Sequence, residues 1–76
     1  MIDVKKVADA ADMIIQGYAF TKAGNFVRVL NLHAPERAAV IDEDLEMVET
    51  TMEDIEVSIV TEYLRKNRQY MEVVSA

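Results

Sequence analysis

Eight carboxylates fall between Ile41 and Val57, IDEDLEMVETTMEDIEV, with no Lys or Arg among them. Clustered oxygen ligands are what Ca²⁺ and Mg²⁺ require, so Asp42-Glu43-Asp44-Leu45-Glu46 is the first place to test for a cation site. The spacing argues against it. An EF-hand loop needs glycine at its sixth position, and counting from Asp42 that position holds Met47.

The remaining groups with chemical potential are sparse. His33 is the only histidine, and general-base or metal chemistry needs a partner and further ligands that no motif supplies. Ser58 and Ser75 lack a strand-turn-helix nucleophile motif. Gly17 and Gly24 are the only glycines, too few for a phosphate cradle, and the absence of Cys removes disulfides and thiolate metal sites. No catalytic, cofactor-binding or metal-ligating residue is therefore assigned, and no small-molecule substrate is indicated. No motif is specific enough to place the chain in a family of known activity.

The acidic stretch has structural uses in three settings. Glu53, Asp54 and Glu56 open a predicted helix, where free amides and the positive dipole end stabilise each acid by about 0.3–1 kcal/mol. Asp42, Glu43 and Asp44 form a turn, in which Asp side chains bond nearby amides. Glu46 and Glu49 belong to the segment that follows. As a functional surface, Asp42, Glu43, Asp44, Glu46 and Glu49 would suit a basic protein partner, or would mimic a nucleic-acid backbone.

Charge and composition narrow the classes. The chain has 76 residues, a net charge of −6 and 51% hydrophobic residues. That is one domain, 1–76, with a modest core. Ten acids and one base, Arg37, lie between Glu36 and Glu62, whereas residues 1–35 carry Lys5, Lys6, Lys22 and Arg28 against Asp3, Asp9 and Asp12. The negative balance disfavours direct binding to nucleic acid or an anionic membrane. Without cysteines, and without an apolar run of about 20 residues, the expectation is a soluble cytoplasmic protein.

The elements that must position these residues read as follows. Asp3 caps a first helix over Val4–Gln16, with Val4, Val7, Ala8, Ala11, Ile14 and Ile15 on one side and Gly17 at its end. A hairpin follows, with strands near 18–22 and 26–32 about the turn Ala23-Gly24-Asn25. Phe26, Leu30 and Leu32 lie on one face and Val27 and Val29 on the other, the pattern of a central strand covered on both sides. Arg28, among apolar neighbours, is expected to pair with an acid from 42–49. Pro35 breaks the pattern, and 38–41 makes a third strand.

Residues 45–50 fit a strand alternating through Leu45, Met47 and Glu49, and also fit helical spacing; the strand is preferred because Thr50 and Thr51 resemble the start of a new helix. Thr50 with Glu53, and Thr51 with Asp54, have capping-box spacing for a last helix over 52–71. The predicted fold is α+β: an N-terminal helix, a three- or four-stranded antiparallel meander, and a C-terminal helix packed on the sheet.

The apolar arc of the last helix, through Ile55, Ile59, Val60, Tyr63, Leu64, Tyr70, Met71 and Val74, is wider than the ~100° stripe that one core requires. Val57, Val60, Tyr63, Leu64, Asn67, Tyr70 and Met71 are its candidate interface residues, with Asn67 able to fix the register of a helix pair. The functional expectation is a non-catalytic interaction or structural module that self-associates through this helix and whose partner is itself or another protein. The alternative is an acidic regulator that masks a basic surface.

Overall fold

The computed structural model describes residues 3–75, with side chains described through Gln69. Its elements are α1 (Val4–Ala10), β1 (Met13–Ile15), β2 (Tyr18–Ala23), β3 (Phe26–Asn31), β4 (Ala38–Asp42), β5 (Met47–Thr50) and α2 (Asp54–Ser75). The strands form one antiparallel meander in the order β1-β2-β3-β4-β5. This is the α+β arrangement expected, with five strands in place of three or four.

The extra strand comes from the end of the predicted first helix. Asp3 does cap α1, accepting from the Lys6 amide at 3.1 Å, but the helix stops at Ala10. Ile14 and Ile15 are stiff, β-branched residues that favour a pleated surface, and Met13–Ile15 pairs with Tyr18–Phe20. The Asp12 carboxylate fixes the switch by accepting from the Lys22 amide at 2.6 Å. Gly17 is left-handed as expected (φ 83°), but together with Gln16 (φ 50°) it makes a two-residue hairpin turn of the type I′ pattern rather than a helix end.

The hairpin between β2 and β3 closes through Gly24-Asn25, with Gly24 at φ 62°. Central β3 is buried on both faces, through Val29 and Leu30. Between β4 and β5, Asp42 Oδ1 accepts from the amides of Asp44 and Glu46, both at 2.9 Å, and Leu45 takes a positive φ of 64°. A bulge then shifts the register, since Val40 faces Glu49 while Ile41 faces Met47. The expected alternation through Leu45, Met47 and Glu49 fails there. Met47 packs on the core, while Glu49 shares the opposite face with Arg28, with Val40 between them.

The core fills the space between the sheet and α2. Phe20, Val29, Ala39 and Ile41 meet Met52, Val60 and Leu64, all buried, and each large side chain contributes about 1.5–3 kcal/mol. On the other face α1 borders Ala19 and Leu30, which are also buried. The expected capping boxes are replaced by a different use of the threonines. Thr51 Oγ1 donates to the Glu36 carbonyl at 2.7 Å and accepts from the Ala38 amide, while Thr50 Oγ1 accepts from the Met52 amide at 2.9 Å. They tie the approach to α2 onto the start of β4.

Candidate functional site

The most concentrated polar arrangement lies where α2 begins and β2 and β3 are paired. Tyr18 and Asn31 are directly opposite in register, so both side chains stand on the α2 face at that end of the sheet. Glu56, in the first turn of α2, points down onto them. Its carboxylate accepts from the Tyr18 hydroxyl at 2.7 Å, Asn31 Nδ2 at 2.9 Å and Arg37 at 3.2 Å. Only 12% of the Glu56 side chain is exposed, against 40% for Arg37.

These contacts set the protonation states. The Tyr18 hydrogen bond, with those from Asn31 and Arg37, holds the Glu56 carboxyl below its usual range although burial opposes this. Burial, and next the bond to Glu56, push the Tyr18 phenol up to about 12. The hydrogen bond to Glu56 also raises the Arg37 guanidinium, which stays charged. Asn31 is used at both ends, its Oδ1 accepting from the His33 and Ala34 amides at 2.9 and 3.0 Å. The Tyr18 and Tyr63 rings are tilted at 53° with centroids 6.3 Å apart. The group locks helix, sheet and the β3–β4 loop together.

His33 is exposed, and its ring lies over Gly17, where an added Cβ would come within 2.8 Å of Cδ2. Among the described residues no group of three or more His, Asp or Glu is placed to hold a metal ion. A shallow cavity of about 210 Å³ beside the acidic turn is lined by Lys22, Phe26, Asp42, Leu45, Leu64 and Arg68, among others. It is smaller than the ~300–1,000 Å³ typical of small-molecule sites.

Asp42, Glu43, Asp44 and Glu46 share the β4–β5 turn, whereas Glu49 lies apart, opposite Val40 in the sheet. Asp42 is half-buried and engaged by turn amides, whereas Glu43, Asp44, Glu46 and Glu49 are exposed and enter no ion pair among the described residues. Arg68 reaches the Glu43 carbonyl from α2. Arg28 makes none of the expected ion pairs: it is exposed, and Val40 stands between it and Glu49 in the cross-strand row.

The interface candidates on α2 divide by burial. Val60 and Leu64 are buried against the sheet, and Val57 and Tyr63 pack at the margin of the same core. Asn67 is half-buried and donates to the Tyr63 carbonyl of its own helix at 2.9 Å. The side chains of Tyr70 and Met71 lie outside those described. Ile55 and Ile59, one turn apart, remain 76% and 39% exposed. The arc is thus broad because its inner part faces the sheet while its outer margin faces solvent.

Among the described residues no helix is long and apolar enough to cross a membrane. No curated protein and no solved structure matches the chain. A family model does match, over residues 1–71, and the chain therefore belongs to a family of unknown function (DUF7723).

Proposed function

We propose that the protein is a non-catalytic, cytoplasmic module that self-associates through the outward margin of α2. The observation that supports this reading is the exposure of Ile55 and Ile59 at 76% and 39%, on a helix whose Val60 and Leu64 already cover the core. Covering each isoleucine contributes up to about 1.5–3 kcal/mol. A micromolar complex needs about 8 kcal/mol net of ordering costs, which two isoleucines alone do not supply, so the contact has to extend along α2 beyond them and is expected to be weak and concentration-dependent. The non-catalytic part rests on the sequence, which carries no nucleophile, metal-ligand or phosphate-cradle motif.

The test is light scattering on the wild type and on the Ile55→Ser/Ile59→Ser variant over a range of concentrations. The wild-type mass is expected to rise above that of the 8.6 kDa chain while the variant stays there. Equal masses for the two proteins would overturn the reading.

A second reading is favoured by the exposed, unpaired carboxylates of Glu43, Asp44, Glu46 and Glu49. They suit a basic protein surface, bound in a salt-sensitive way. Neutralising Asp42, Glu43, Asp44 and Glu46 together should abolish such binding, and unchanged binding would dispose of it.

A further inference from the structure

The sheet has a second face, which α1 covers only in part. Ile14, Phe26, Arg28, Val40 and Glu49 share this side, the register setting Ile14 against Ala19, and Arg28 against Val40 against Glu49. Ile14 and Phe26 are 51% and 44% exposed. A groove of about 380 Å³ is lined by Leu30, Ala38 and Val40, with Arg28, Glu49 and Thr50 and with Val7 of α1. Arg28 and Glu49 stand on this surface without an ion-pair partner among the described residues, and Lys6 of α1 lies near Arg28 at its edge.

The order of the row decides what fits. Neighbouring strands are about 4.8 Å apart, so Arg28 and Glu49 flank Val40 at nearly equal distances. Consider a twofold axis running along β4, above Val40 and midway to a second sheet. Rotation about it sets Val40 against its own counterpart, Arg28 opposite Glu49 of the copy, and Glu49 opposite Arg28 of the copy. Aligned sheets pack about 10 Å apart, a gap that Arg and Glu side chains can bridge. On this face α1 stands over β2 and borders Arg28 and Leu30 of β3, which leaves β4 and β5 as its open part. Along this row the face is complementary to itself in charge, as an isologous interface requires.

We infer that this uncovered sheet face docks a second copy of the chain, with Arg28 and Glu49 forming two reciprocal ion pairs around an apolar centre at Val40. The inference shares with the proposed function the premise of self-association, but it assigns a contact on the side of the sheet away from α2.

The test uses Arg28→Glu and Glu49→Arg, separately and mixed, with mass read by sedimentation. Each single variant sets like charges opposite each other twice, and its self-association should weaken by about tenfold or more. Mixing the two variants restores both opposite-charge pairs, and the mass should return toward that of the wild type. This recovery also shows that the single variants are folded. If both singles associate like the wild type while Ile55→Ser/Ile59→Ser does not, the sheet-face inference fails and the α2 reading stands. Loss of association in the singles without recovery on mixing would also overturn the reciprocal pairing. A wild type that is monomeric throughout would overturn both proposals.

Discussion

Replacing Glu56 tests the physical account of how α2 is held. The carboxylate is 12% exposed and serves three donors from β2, β3 and the β3–β4 loop. In Glu56→Ala the Tyr18 hydroxyl and Asn31 Nδ2 lose their acceptor in a half-buried site, while Arg37, 40% exposed, recovers water. Breaking a fully buried pair costs about 3–5 kcal/mol, and the access of Arg37 to solvent lowers that to about 2–3 kcal/mol. A 76-residue domain has on the order of 4–11 kcal/mol in total, so the loss is a large fraction of it.

The melting temperature should fall by about 10–20 °C, and urea titration should show a lower midpoint with unchanged slope. Tyr18→Phe alone should cost about 1 kcal/mol. Glu56→Ala should cost about 1 kcal/mol less in the Tyr18→Phe background, because the two side chains share one bond. A Glu56→Ala loss below about 0.5 kcal/mol, the scale of an ordinary surface change, would refute the reasoning.

Other expectations follow from the same contacts. Burial and the bond to Glu56 push the folded Tyr18 phenol up to about 12, so the unfolded chain loses that proton first; stability present below pH 10 should decline between pH 10 and 12, and should decline less in Tyr18→Phe. At the acid end the sign reverses: the lowered Glu56 carboxyl stabilises the fold above its unfolded value near 4.5, and acid titration should remove that contribution as pH falls through the folded value. In the acidic turn Asp42→Asn keeps an acceptor for the amides of Asp44 and Glu46 and should be near neutral in chemical denaturation, whereas Asp42→Ala should cost about 1 kcal/mol. Gly17→Ala forces a left-handed conformation on a residue with Cβ, against the His33 ring, and should cost at least about 1–2 kcal/mol by thermal melting.

The parts of the fold that were legible in the sequence are those where one local signal dominates. The β2–β3 hairpin carries a glycine turn between β-branched and aromatic runs, and Asp3 stands directly before an apolar-periodic run. β1 was hidden because Ile14 and Ile15 complete the helical period of Val4, Val7 and Ala11. Only long-range pairing with β2 shows that β-branched stiffness prevails there. The bulge beside Val40 has no sequence mark, and it is what sends Glu49 to the face of Arg28. From sequence Glu56 is a dipole-stabilised acid at a helix start, which is its place in the helix. Its larger role depends on Tyr18 and Asn31, 38 and 25 residues away. A polar residue near the end of each of two paired, largely apolar strands was the available hint. The breadth of the α2 arc was visible, but which part of it faces the sheet was not.

Sedimentation equilibrium of the wild-type chain at rising concentration measures self-association, the central claim, most directly. The account predicts a weight-average mass that climbs from 8.6 kDa toward an integral multiple of it. A mass that stays at 8.6 kDa up to the limit of solubility would contradict the account.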